Sequence, residues 1–457
     1  MERKHKNMTE ILLRVFILIF IFTSSVWAGE NNLAPDGFNH YKPSYIKVDS
    51  RGNIWTAYYD LKGGIHIKNI TDSRDLIVNE GREGLAGGLA FDIQGDNVFV
   101  VWREKIKGQK KLYFRATHDR GKTLSEPILL DDNSTQALTR MKIGSNSKGD
   151  VYITWYGEKR VGGASYHIYS ISSNDSGKTF SEVKNLTKGY RNSIYPTILV
   201  DEGSANVFSY SRRGDRRYMV FRKTTDIGRT WSEPVEIKEI GVVTLFIEPI
   251  RVGKRLHVFW FNTYDGVPII EGAYSEDDGK TWATTAFEDT RGLDTGLLKV
   301  AHDSKGHIYL AMYGHRLDKL DKKEKNNIYI IRSEDNGTSW GKLTPLRHYP
   351  FKNTHAKNPD ILAAEDGEVV VVWVDYRNIR RNLYMQYSKD YGRTWHEKDI
   401  PLEKPGRFNT SHYQFTDSLI KSKDRYYVLA YRFKGDITIK ETDLLLIDFK
   451  LDSRGAR

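Results

Sequence analysis

The chain has 457 residues, with 70 Lys and Arg against 59 Asp and Glu, a formal net charge of +11 and no cysteine. The missing thiols exclude a disulfide framework, a cysteine nucleophile and thiolate metal sites. The positive balance favours acidic partners, namely an acidic glycan or polysaccharide; the basic residues are scattered and form no nucleic-acid-binding motif, so nucleic acid is not expected as a partner.

Residues 1–28 read as a signal peptide: a basic start at Arg3, Lys4 and Lys6, an apolar run from Val15 to Phe22, and small residues before Val26-Trp27-Ala28. That run is shorter than the roughly 20 residues a membrane-spanning helix needs, so cleavage after Ala28, export to the periplasm, cell surface or exterior, and no stable membrane span are expected. Residues 29–457 then form a single domain, because an internal repeat runs through them.

The repeat has two parts. The first is an apolar, β-branched strand that ends near an aromatic: Asn53 to Tyr59, Asn97 to Trp102, Val151 to Tyr156, a copy ending at Tyr210, Leu256 to Phe261, Ile308 to Tyr313, Val369 to Trp373 and Tyr426 to Tyr431. The second is Ser/Thr-x-Asp-x-Gly-x-Thr/Ser followed by an aromatic or leucine. Six copies carry Asp119, Asp175, Asp226, Asp277, Asp335 and Asp390, at intervals of 51 to 58 residues. In such a turn the Asp accepts backbone hydrogen bonds and the Gly supplies positive φ, so these aspartates are structural. Units of about 50 residues, each a small antiparallel sheet, are expected to close into an all-β propeller of four-stranded blades. The strand count gives eight blades, with seven as the alternative if the first and last units share one. The charged stretch Arg316 to Lys325 reads as a loop within one blade.

The boxes, for example Ser275 to Trp282 and Ser388 to Trp395, resemble the Asp boxes, or bacterial neuraminidase repeats, of the sialidase superfamily. The resemblance spans about Tyr41 to Phe449 and implies a carbohydrate-active propeller, in first place an exo-sialidase-like glycosidase. Enzymes of that superfamily use a Tyr nucleophile with a Glu partner, an Asp acid/base and three arginines on the substrate carboxylate. The first arginine stands in an Arg-Ile-Pro segment opening the first blade; here the segment is Tyr41-Lys42-Pro43-Ser44-Tyr45-Ile46, without it. The family propeller is also six-bladed. Tyr195-Pro196-Thr197, followed by Tyr210 and Arg212, is similar to a motif of Asp-box lyases, in which a Tyr or His removes a proton beside a uronate carboxylate neutralised by Arg. A lyase and a non-catalytic glycan- or protein-binding propeller are the alternatives.

In a four-stranded blade the box turn lies on one rim. The turn after the second strand and the connection into the next blade lie on the opposite rim, where propeller sites gather. The residues at those positions supply the candidates: Tyr195, Asp375 and Glu158 for catalysis, and Arg103, Arg212, Arg213, Arg316, Arg377, Arg432, His355, His412 and Tyr413 for substrate binding. No metal-ligand spacing occurs among the histidines, so no metal or other cofactor is expected. A monomer is expected.

Overall fold

The computed structural model describes residues 29–451, apart from short segments at 36, 83, 132–134, 160–164, 242–245, 318–324, 350–352, 406–408, 413–415 and 434–441. The expected signal peptide, Tyr413 and most of the Arg316 to Lys325 loop lie outside the described residues. The described residues form eight antiparallel sheets arranged as the eight blades of a β-propeller. Seven sheets are four-stranded and run in chain order from the ring axis outward. Their first strands are Tyr45–Val48, Leu85–Gln94, Thr135–Ser145, Arg191–Asp201, Ile247–Val252, Leu293–His302 and Ala356–Ala363.

The eighth blade closes the ring. Two short strands, Asn409–Ser411 and Leu419–Ser422, both pair with Arg425–Phe433, which pairs with Thr442–Phe449. The outermost position is taken by Gly29–Asn32, from the other end of the chain, antiparallel to Thr442–Phe449. The unit at the C-terminal end thus borrows its last strand from the N-terminal segment, and the choice between eight and seven blades resolves to eight.

Each sheet is apolar on both faces, and each interface between neighbouring blades holds its own hydrophobic cluster. Val100 and Trp102 of the second blade pack with Trp55 and Tyr59 of the first; Val370 and Leu383 of the seventh pack with Val428 and Leu445 of the eighth; Phe38, Ile46 and Tyr58 meet Leu429 and Leu446 across the closure. A sheet alone could bury neither face fully, so the clusters and the ring stabilise each other.

The boxes behave as the sequence dictates. Ser275 Oγ donates to Asp277 at 2.8 Å, the Thr281 N–H and hydroxyl donate to the same carboxylate at 2.8 and 2.6 Å, and the Gly279 N–H donates to Ser275 Oγ at 2.7 Å. The same bonds recur around Asp119, Asp175, Asp226, Asp335 and Asp390. The aromatic that ends the box enters the preceding blade: Trp282 sits edge-on to Phe208 and Phe221, 5.8 and 5.2 Å between centroids. Gly279 has φ +94°, and a Cβ there would collide with the Phe221 ring.

Gly279→Ala is therefore expected to lower stability by about 2–4 kcal/mol, from strain and overpacking together, measured by denaturant unfolding. The hydrogen bonds from Thr281 hold Asp277 down at about 2 against a usual 3.8. A depressed carboxylate stabilises the fold above its unfolded value and loses that contribution as pH falls through the folded value. Acid unfolding is thus expected to develop between about pH 4 and pH 2, and Asp277→Asn is expected to reduce its steepness.

Candidate functional site

On the rim opposite the boxes, the first strands of blades one to five open into a cleft of about 350 Å³. Its lining includes Tyr41, Lys42 and Tyr45 from the first blade, Gly88 from the second, Arg140 and Lys142 from the third, Tyr195 from the fourth and Glu248 from the fifth, with Thr416 of the eighth blade beside them.

Backbone irregularities aim these groups. The first strands of blades two, three, four and seven each slip register near their start. The residue at the slip has positive φ: Gly88 at +82°, Arg140 at +53°, Tyr195 at +56° and Asn358 at +54°. A bulge adds a residue, bends the strand and redirects its side chain. Glycine adopts this backbone freely, whereas Arg140 and Tyr195 hold it at a cost of order 1–3 kcal/mol each. The two strained residues touch: the Arg140 guanidinium carbon lies 4.4 Å from the Tyr195 ring centroid.

Below the cleft the axis of the ring is charged. Lys47 pairs with Asp92, and Lys299 Nζ donates to Asp417 at 2.8 Å across to the eighth blade. Lys299 holds the Asp417 carboxyl down at about 2. Burial alone would lower Lys299, but Asp417, Asp360 and Glu248 raise it. Burial pushes Glu248 up to about 7, with Asp417 adding to the shift and Lys299 and Lys142 opposing it. Burial lowers Lys142. At neutral pH the cleft floor therefore holds a carboxyl close to half-protonation beside lysines.

The sequence-derived candidates divide. Tyr195 lines the cleft, and Arg103 stands beside Lys42 at its edge. Asp375 does not reach it: fully buried, it accepts from Arg347 at 2.8 and 2.9 Å, from the Trp373 indole at 2.9 Å, and from the Arg377 amide and guanidinium at 2.9 and 2.7 Å. Burial would raise its pKa, but the arginine hydrogen bonds lower it. A carboxylate with five donors is held ionised, and at this place Asp375 joins its own blade to the one before. Arg377 is held by Asp375 and Asp399, and Arg432 by Glu30 and Glu403. Arg212 pairs with Asp215 within its own hairpin, Arg213 with Glu236 and the Tyr190 hydroxyl, and Arg316 with the carbonyls of Asp289 and Arg291. His412 is buried, donating through Nε2 to the Asn358 carbonyl at 2.7 Å and meeting Ser418 Oγ at 3.0 Å. His355 accepts from the Asn326 amide at 3.4 Å, and Glu158 is half-buried at the end of Val151–Lys159; neither lines the cleft.

The charged strand ends thus serve mainly as clamps between blades. Glu104, Glu271 and Asp375 are buried carboxylates, each receiving a tryptophan indole N–H from its own blade and a cation from the blade before: Arg82 at 2.8 Å, Lys238 at 2.5 Å and Arg347 at 2.8 Å. A Trp two residues before an acid, as in Trp102-x-Glu104 and Trp373-x-Asp375, is the sequence signal for it. Glu248 lies outside the strand-end positions that supplied the candidates; an acid within the otherwise apolar Phe246-Ile247-Glu248-Pro249 is its sequence signal. Among the described residues no group of three or more His, Asp or Glu side chains is placed to hold a metal, and no helix is long and apolar enough to cross a membrane.

Residues 250–431 match the BNR repeat-like domain. That match spans the fifth to eighth blades of the propeller. Among solved structures the chain is similar to the polysaccharide lyase Uly1, at 11% identity over 93% of this chain and 99% of that one, with a TM-score of 0.52. It also matches an ulvan lyase at 13% identity over 78% and 90%, TM-score 0.48, and a NanB sialidase of Streptococcus pneumoniae at 10% identity over 93% and 94%, TM-score 0.38. A search of curated proteins finds no match.

Asp375→Asn is expected to cost about 3–5 kcal/mol, because Arg347 is left buried and unpaired. Denaturant unfolding checks this; unchanged stability with abolished turnover would instead return Asp375 to the chemistry.

Proposed function

We propose that the cleft binds and cleaves an acidic, uronate-bearing polysaccharide, and that it does so by β-elimination. The observation that carries the reading is the joining of Arg140 and Lys142 with Tyr195 in one cleft whose described lining holds a single carboxylate, Glu248. The net positive charge of the chain and the fold shared with a polysaccharide lyase support it. Sialidase-like hydrolysis needs three arginines around one carboxylate and a Tyr–Glu pair with an acid; of the arginines named from sequence only Arg103 stands at this cleft, and Asp375 is committed elsewhere.

In the proposed reaction Arg140 and Lys142 take the uronate carboxylate, which makes the C5 proton acidic. Tyr195 removes that proton, the C4–O4 bond breaks as the C4–C5 double bond forms, and the proton is delivered to the departing O4. No water is consumed. Glu248, protonated below about pH 7, adds no negative charge to repel the substrate. Export follows from the same reading, since such polymers are met outside the cell; the leader-like residues 1–28 support it.

The test is incubation with a panel of uronate polysaccharides and sialosides. Ultraviolet absorbance from unsaturated uronate ends is the expected result. Sugar release without those ends would replace elimination by hydrolysis, and binding without either product would make the propeller a lectin-like module. Tyr195→Phe is expected to lower kcat about 10²–10⁴-fold with little change in stability. Turnover is expected to fall above about pH 7 as Glu248 ionises, chiefly through a rising KM, and Glu248→Gln is expected to remove that limb.

A further inference from the structure

Arg103 differs from the other arginines proposed for this rim. Arg212, Arg213, Arg377 and Arg432 each meet a carboxylate and Arg316 donates to two backbone carbonyls, whereas Arg103 has no acidic partner among the described residues and faces a second cation. Lys42 Nζ and Arg103 Nη2 converge over Gly87, 3.4 and 3.0 Å from where a Cβ on that glycine would stand. Lys42 donates only weakly, to the Ala86 carbonyl at 3.4 Å, and lies 5.8 Å above the Tyr59 ring. Both cations are half-buried. Burial lowers the pKa of each, and Arg103 depresses Lys42 further.

Two like charges drawn together and partly desolvated, with no counter-ion among the described residues, are unfavourable unless an anion completes them. From the convergence of Lys42 and Arg103 over Gly87, we infer that this corner of the cleft is a second oxyanion subsite, and that the substrate carries two anionic groups in the stretch the protein recognises. The inference rests on the reading of the cleft as a polysaccharide site and extends it: one anion meets Arg140 beside Tyr195, and the other, on a neighbouring sugar, meets Lys42 and Arg103. A carboxylate and a sulfate ester share the required chemistry, as planar or tetrahedral oxyanions able to bridge an ammonium and a guanidinium. Gly87 serves by absence, since a methyl group there would occupy the space between the two cations.

The experiment uses the full-length protein and three variants, Lys42→Met, Arg103→Gln and Gly87→Ala. The last keeps both charges and fills the space between them, so a loss shared by all three does not reduce to misfolding of one. Inorganic sulfate is the first probe, read by its effect on thermal unfolding. Uronate oligosaccharides with and without a sulfate ester, and an all-uronate oligosaccharide, are the second, read by calorimetry. Sulfate is expected to raise the melting temperature of the native protein and to lose that effect in the variants. Arg103→Gln is expected to weaken the doubly charged oligosaccharides about 10–100-fold, the value of losing a hydrogen bond between charged groups, and the singly charged one by a much smaller factor. Whether the sulfated or the all-uronate ligand shows the larger loss identifies the anion. Variants matching the native protein on sulfate and on both doubly charged ligands would overturn the inference. If the native protein cleaves uronate polymers and the variants show no such loss, the subsite fails and the function stands. If no acidic polymer is cleaved yet sulfate protection depends on Arg103, the function fails and the anion site stands.

Discussion

The structure depends on blade-to-blade contact. No four-stranded sheet here can bury both apolar faces by itself, and only a closed ring gives every sheet two neighbours. Closure is made by Gly29–Asn32 on the outer edge of a sheet whose other strands come from the opposite end of the chain. Polar groups reinforce the same interfaces. Buried carboxylates at Glu104, Glu271 and Asp375 take an indole N–H from their own blade and a cation from the blade before, and Arg432 ties Glu403 of the seventh blade to Glu30 of the closing strand.

The site follows from that arrangement. Because the first strands face a common axis, side chains from blades one to five meet in one cleft although they are far apart in sequence. The register slips near the start of these strands decide which side chains face it. Arg140 and Tyr195 hold a backbone that glycine would hold more easily, and residues kept in such conformations cluster where geometry serves function. The rigid ring beneath them, with its charged axis, fixes the environment that keeps the Glu248 carboxyl near neutrality.

The fold was legible from the chain because its signals are local. An Asp box specifies its turn through residues within seven positions, and the regular spacing of six boxes carries the architecture with it. The site was only partly legible, because its determinants are not local. A charged residue at a strand end looks much the same whether it faces a ligand or a partner in a neighbouring blade: Trp373 marks Asp375 as a clamp acid, but Arg347 is 28 positions away and nothing around it marks it as the partner. Tyr195 stands in the short Tyr-Pro-Thr motif, whereas Arg140, in the first strand of the preceding blade, becomes its neighbour only through the packing of the blades and a bulge. Lys42 lay in the very segment noted for lacking an arginine, and it brings a cation into the cleft from there.

The central claim is that the cleft over blades one to five, and no other surface, receives an acidic sugar with its carboxylate at Arg140. A crystal structure of the Tyr195→Phe variant soaked with a uronate oligosaccharide tests it most directly. The account predicts a sugar in the cleft with its carboxylate hydrogen-bonded to the Arg140 guanidinium and its C5 facing residue 195. An oligosaccharide ordered on the box rim, or in the cleft with its carboxylate turned away from Arg140, would contradict it.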